Sequence, residues 1–200
     1  RELSLFDLLV ANPFLFERAI LRLVLLNQGQ VAETPYGEVY LLRLLMLYYE
    51  EVVAKHINFQ PDRKKFVLGV ANWLAGRAEK YVQAKMTAAF SGDQKAKSVV
   101  LNGHYHNVVD PLLAIVDYYS WVDNKGKLDA LTNDLIEPLG EFYARNGLRL
   151  GRDIDIPVQG QDATVYRLGF ASVMAKYWRI LMRVYPCLLY TSPSPRDKTV

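Results

Sequence analysis

Apolar residues recur every three or four positions along most of this chain, with charged residues between them. This spacing places the apolar side chains on one side of an α-helix. Asn-Pro, Thr-Pro, Gln-Pro-Asp and Asp-Pro precede four of the stretches, and a proline at the first helical position costs no hydrogen bond. The pattern predicts helices over about 13–28, 35–56, 61–91, 111–122, 127–146 and 162–185.

The segments between these helices define the predicted architecture. Residues 92–103 are polar and form the clearest internal break, and Glu137-Pro138 interrupts the fifth helix. Near 148–160 apolar and polar residues alternate, which predicts a short extended hairpin. No repeat of fixed period is present, so a solenoid is not indicated. The predicted fold class is all-α, an irregular bundle of five to seven amphipathic helices.

Five large apolar residues on the inner sides of these helices are expected to form part of the core. Each lies on the apolar side of a pattern with a period near 3.6 residues. They are Leu23, Leu45, Trp73, Leu74 and Ile115.

The last fourteen residues, 187–200, differ from the rest of the chain. The sequence CLLYTSPSPRD matches, residue for residue, a translation of the adapter used in transposase-based sequencing libraries. Such segments are excluded from fold reasoning. We interpret 187–200 as adapter read-through from shotgun sequencing of a microbial community, which favours a bacterial or phage origin. The expectation is a single helical domain over 1–186, truncated at both ends.

Composition and charge narrow the class of protein. Of 200 residues, 51% are hydrophobic and 22% charged, which is typical of a globular chain. The net charge of +3 is too small to indicate a dedicated nucleic-acid binder. No run reaches the ~18 apolar residues of a membrane span, and the first residues lack the pattern of a signal peptide. The only cysteine lies within 187–200, so the sequence predicts a cytoplasmic protein without disulfides.

One cluster of ionisable residues could carry chemistry. In HYHNVVDPLLAIVD, imidazoles at His104 and His106 precede carboxylates at Asp110 and Asp117. Such groups could bind a divalent metal or pair a base with an orienting acid. Alternatively, Asp110 precedes a proline and caps the helix, which leaves both histidines in a loop. No Glu-x-x-His pair indicates a di-iron bundle, and the common nucleotide and hydrolase motifs are missing from the sequence.

The last helix carries a second candidate surface. Three cations at i, i+3 and i+7 form one basic stripe, and a tryptophan lies beside it. This stripe could bind phosphate backbones, anionic lipid or an acidic partner, or it could simply be a solvated face. Its residues are Lys176, Trp178, Arg179 and Arg183.

These observations favour one function over two others. The favoured hypothesis is a non-catalytic helical domain for protein interaction or assembly, part of a larger bacterial or phage system, with an unidentified protein partner. The first alternative is a metal-assisted enzyme that uses the His/Asp cluster. The second is weak binding of nucleic acid or an anionic surface by the last helix. The sequence indicates neither a cofactor nor a metal.

Overall fold

Helices account for all regular secondary structure in the part of the chain that the computed structural model describes. Those residues are 15, 17–19, 22, 36–55, 61–101, 107–150 and 163–186. Within them lie seven α-helices, and no strand is found there. We label them α1 Tyr36–Tyr48, α2 Pro61–Phe90, α3 Gln94–Leu101, α4 Val109–Trp121, α5 Lys125–Leu131, α6 Glu137–Leu150 and α7 Ala163–Val184.

The all-α class predicted from the sequence is therefore confirmed. Two π-helical turns add to it, one after α1 at Tyr49–Val53 and one between α5 and α6 at Thr132–Ile136. A π turn contains one more residue than an α turn and is a rare, local feature.

The chain divides into two compact units, Arg1–Arg77 and Ala78–Val200. In the first unit, the buried residues of α1 recur at every third position and form one apolar stripe. They are Val39, Leu42, Leu45 and Tyr48. The buried hydroxyl of Tyr48 donates to Glu17 Oε1 at 3.1 Å, and Arg63 Nε lies 3.7 Å from the other oxygen of that carboxylate.

The second unit is built around α4. Nine of the thirteen residues of this helix are buried, on every side of its axis. A helix that is apolar all round is suited to the centre of a bundle. Along one side α4 packs against α7, and it also contacts α5.

Helix termini in the second unit are satisfied by nearby polar groups. Gly92, with φ of 105°, ends α2 in a left-handed turn that glycine adopts without strain. Asp93 then caps α3, because its Oδ1 accepts from the backbone N–H of Lys95 and Ala96 at 2.8 and 3.1 Å. Asn124 caps α5 through Lys127 N–H at 3.1 Å.

Several sequence predictions need correction. Residues 92–103 are not simply a break, because α3 lies within them. Pro138 does not interrupt the helical run, and α6 continues past the predicted end at 146 to Leu150. The hairpin expected near 148–160 is helical as far as 150, and its remainder lies outside the described residues.

The expected core residues fall into three groups. Leu45, Leu74 and Ile115 are buried, as predicted. Trp73 is only half-buried, and the Arg77 guanidinium lies over its ring at 4.9 Å. Leu23 lies outside the described residues, as do 187–200. The expectation of a single domain over 1–186 stays a prediction.

Candidate functional site

One face of α7 fixes the helix in the second unit. Its buried residues are Val173, Tyr177 and Ile180, spaced as one side of a helix requires. The Tyr177 hydroxyl donates to the backbone carbonyl of Ile136 at 2.8 Å. That carbonyl ends the π turn, where the wider turn changes the hydrogen-bond pattern of the helix. The phenol therefore satisfies a backbone acceptor at an irregular position.

A second buried tyrosine has the same role at another helix end. The Tyr143 hydroxyl donates to the carbonyl of Val100 at 3.1 Å. Val100 lies in the last turn of α3, where backbone carbonyls have no partner within the helix. The rings of Tyr143 and Tyr177 meet edge to face with centroids 5.3 Å apart. The two tyrosines thus join α3, α6, α7 and the π turn.

The edge of α7 next to this face carries two ion pairs to α4. Lys176 Nζ lies 2.7 Å from Asp110 Oδ2, and Arg183 Nε lies 3.1 Å from Asp117 Oδ1. In each pair the partners are 66 residues apart, so both helices advance by seven residues between the two contacts. The two helices therefore run parallel along this edge.

These ion pairs join two surfaces that the sequence suggested separately. The carboxylates of the proposed metal or acid–base cluster face two of the three cations of the basic stripe. His104 and His106 lie outside the described residues, so the convergence of the full cluster stays a prediction. Among the described side chains, no three His, Cys, Asp or Glu residues are placed so that they could hold a metal ion.

The predicted helix cap at Asp110 is wrong in detail. Asp110 lies in the first turn of α4, after Val108 at the N-cap position. Its backbone N–H donates to Asn107 Oδ1 at 2.9 Å, while the Asn107 amide donates to the Asp110 carboxylate at 3.0 Å. Asn107 is buried, so these bonds offset the cost of removing its amide from water.

We predict unequal coupling energies for the two ion pairs. The side chains of Lys176 and Asp110 are 27% and 22% exposed, whereas that of Arg183 is 60% exposed. Because solvent screens exposed pairs, we expect about 1 kcal/mol for the first pair and about 0.3 kcal/mol for the second. Double-mutant cycles with alanine, measured by urea denaturation, give both values. Equal coupling energies would contradict the conclusion that the Lys176–Asp110 pair is more buried than the Arg183–Asp117 pair.

The opposite face of α7 is apolar and exposed. Ala171, Ala175 and Trp178 are exposed, and Met182 is half-buried. Half of the Trp178 surface is accessible. We call these four residues the outward stripe. Arg179 borders it, and no carboxylate pairs with Arg179 among the described residues. Of these four residues only Trp178 was predicted from the sequence, although the 4-3-4 spacing of the two alanines, the tryptophan and the methionine is visible in it.

The outward face of α2 within the same unit provides a comparison. There Lys80, Gln83 and Thr87 are exposed and polar, and Ala84 is an exposed alanine among them. A polar outward face is what a solvated helix normally has. The outward stripe of α7 departs from this rule, so solvation alone does not explain it.

A shallow cavity of about 590 Å³ lies elsewhere in the second unit, over the packed rings of Phe90 and Phe142. Of the charged groups along its edge, Arg145 pairs with Glu141 at 2.7 Å, and both side chains are mostly exposed. Because Arg145 and Glu141 bond to each other, they are not available to orient a ligand as the polar groups of a typical ligand site do.

Buried tyrosines make the fold sensitive to alkaline pH. Burial is the main cause that raises the pKa of Tyr177 to about 12, with help from Tyr185 and Glu137. Burial, Glu79 and Tyr118 raise the pKa of Tyr119 to about 12. In the unfolded chain tyrosine titrates near pH ~10. Above that pH the unfolded state has lost protons that the native state retains, so stability falls as pH rises.

We therefore expect these tyrosines to contribute a constant amount to the free energy of unfolding below pH ~10. That contribution should fall progressively as the pH rises to ~12. Urea denaturation across this range measures the loss. The variant Tyr177→Phe has one titrating group fewer and should lose stability less steeply. A slope identical to that of the wild type would contradict the raised pKa of Tyr177.

Comparison of the chain with protein-family models, curated proteins and solved structures found no match. Among the described helices, none is both long and apolar enough to cross a membrane.

Proposed function

We propose that this chain is a non-catalytic helical assembly domain that packs the outward stripe of α7 against a helix of another chain. The proposed setting is a larger bacterial or phage system in the cytoplasm. The observation that carries the proposal is the exposure of Trp178 in the middle of an apolar stripe.

An exposed tryptophan among apolar residues is typical of a contact surface. Tryptophan has a large apolar area and few rotatable bonds, so it contributes more to binding than most side chains. Ala171 and Ala175 are small and let a second helix approach closely. Along the outward face of α2, by contrast, Lys80, Gln83 and Thr87 are polar, and Ala84 is the exposed apolar residue between them.

The ion pairs between α4 and α7 favour this function over the first alternative. Asp110 and Asp117 each have a cationic partner in the chain, so a metal or an acid–base role would require breaking those contacts. They favour it over the second alternative as well. Lys176 and Arg183 are held by the same carboxylates, which leaves Arg179 as the remaining cation of the basic stripe for a phosphate group.

The test uses the fluorescence of Trp178 to report whether a helix packs against the outward stripe. With Trp73 and Trp121 replaced by phenylalanine, fluorescence reports Trp178 alone. The probe is a synthetic helical peptide with leucine at the a and d positions of a heptad and glutamate beside them, which keeps it monomeric by charge repulsion. We expect a blue shift and reduced acrylamide quenching on addition of the peptide, because packing removes the indole from water.

Two matched variants make the result specific. Ala175→Glu places a charge in the middle of the outward stripe and should abolish the blue shift. Thr87→Glu makes the same kind of change on the outward face of α2 and should leave the shift unchanged. With the chain diluted until it sediments as a monomer, absence of a shift at peptide concentrations up to roughly 1 mM contradicts the proposal. A shift that survives Ala175→Glu contradicts it as well.

A further inference from the structure

The outward stripe has the spacing of a coiled-coil seam. Its four residues, Ala171, Ala175, Trp178 and Met182, are separated by four, three and four positions. This is the alternation of d and a positions in a heptad, and a second helix can pack along such a seam. Along α7 the two small side chains, both alanines, come before the two large ones.

This order makes the stripe complementary to itself when two copies run antiparallel. In an antiparallel pair, a positions of one helix lie opposite d positions of the other. Ala175 then faces Trp178 of the second copy, and Ala171 faces Met182 of the second copy. Each layer combines one small and one large side chain, so the interhelical space is filled evenly.

A parallel pair gives a worse fit. Equivalent residues would lie opposite each other, so two indoles would meet at Trp178 and two alanines at Ala175. One layer would be overpacked and the next would contain a void, and both conditions are destabilising. The size pattern therefore selects the antiparallel orientation.

The residues beside the stripe favour the same orientation. In an antiparallel pair each flank meets the equivalent flank of the partner. On one side Arg179 of each copy comes opposite Ser172 of the other. Two polar groups meet there, and the two arginines do not face each other. On the other side Met174 comes opposite Leu181, so two apolar groups meet. Lys176 and Arg183 remain in their ion pairs with α4.

We infer that the partner of the outward stripe is a second copy of this chain, with the two α7 helices antiparallel. This inference rests on the proposed function and specifies the partner. The two-fold axis passes between Ala175 and Trp178. An interface that one face makes with itself about a two-fold axis closes at two subunits. The assembling unit is therefore a dimer and not an open filament.

Disulfide crosslinking tests the orientation. All variants carry Cys187→Ser, which removes the thiol already present in the chain. One of the two chains bears an affinity tag that makes it larger, so mixed and same-residue crosslinked dimers differ in size. Ala171→Cys is mixed with Met182→Cys under mild oxidation. In the antiparallel dimer these positions are opposite each other, within reach of the ~5.5 Å between Cα atoms in a disulfide. In a parallel dimer they are offset by eleven residues, or about 16 Å along the helix.

We expect the mixed crosslink to exceed either same-residue crosslink at least fivefold. The pair Ala175→Cys and Trp178→Cys tests the central layer in the same way. Thr87→Cys on α2 measures random collision and should crosslink at background level. Adding Ala175→Glu to the first pair should reduce the mixed crosslink to that background, and circular dichroism verifies that each variant is folded.

The possible outcomes separate this inference from the proposed function. Same-residue crosslinks that dominate would overturn the antiparallel orientation. A wild-type chain that sediments as a monomer at roughly 1 mM would overturn the second copy as partner. In both cases a Trp178 blue shift with the leucine–glutamate peptide would leave the proposed function standing. Loss of that shift together with a monomeric chain would contradict both.

Discussion

Replacing Leu45 by alanine is expected to lower the free energy of unfolding by roughly 3 kcal/mol. Leu45 is 2% exposed and lies on the buried stripe of α1 between Leu42 and Tyr48. Truncation removes apolar surface that folding had withdrawn from water and leaves a cavity that the neighbours fill only in part. Urea denaturation of the wild type and the variant measures the difference.

Leu47 provides a matched control on the same helix. It lies two positions further along and is 50% exposed. Leu47→Ala removes the same atoms from a site with little packing and improves helix propensity slightly, so we expect a change below about 0.5 kcal/mol. Similar losses for both variants would mean that the two faces of α1 are wrongly assigned.

This contrast shows how much of the fold the sequence could predict. Helical spacing identified the buried sides at Leu45, Leu74 and Ile115, because long amphipathic segments give a strong signal. The same rule placed Trp73 in the core, and that was wrong. A tryptophan at the edge of an apolar face can be covered by a cation, as Arg77 covers Trp73 through a cation–π contact.

Short helices were harder to predict than long ones. The polar segment that contains α3 has only eight helical residues, and its capping residue Asp93 was the one local signal for it. Pro138 indicated a break, because proline clashes with the carbonyl four residues earlier in a regular α-helix. Here the preceding turn is a wider π turn, and the chain continues into α6 without leaving the helical state. The amino-acid composition does not distinguish a helix that ends at a proline from one that continues past it through a π turn.

Contacts between residues that are far apart in the sequence could be predicted least of all. Asp110 and Asp117 share one helical face, as do Lys176 and Arg183, and both facts follow from spacing. That the two sets face each other depends on the packing of α7 against α4, which local patterns do not specify. The same packing determines which face of α7 remains outside, and so it exposes Trp178.

Gly140 is a second residue whose importance depends on distant packing. It lies in α6, and a Cβ placed on it would overlap the hydroxyl of Tyr177 and come within 3.2 Å of the ring carbon Cζ. Tyr177 cannot easily turn away, because it is buried and its hydroxyl donates to Ile136. We expect Gly140→Ala to lower the free energy of unfolding by roughly 3 kcal/mol, since overpacking outweighs the gain in helix propensity of about 1 kcal/mol.

The variant Tyr177→Phe tests the cause of that loss. Alone it should cost about 1 kcal/mol, because the hydrogen bond from the Tyr177 hydroxyl to the Ile136 carbonyl is lost. In its background Gly140→Ala no longer overlaps a hydroxyl, and only the tighter contact with the ring carbon remains. The added cost of Gly140→Ala should then fall to about 1 kcal/mol or less, and the two substitutions should be strongly non-additive. Additive losses in urea denaturation would show that Gly140 is needed for a reason other than the approach of Tyr177.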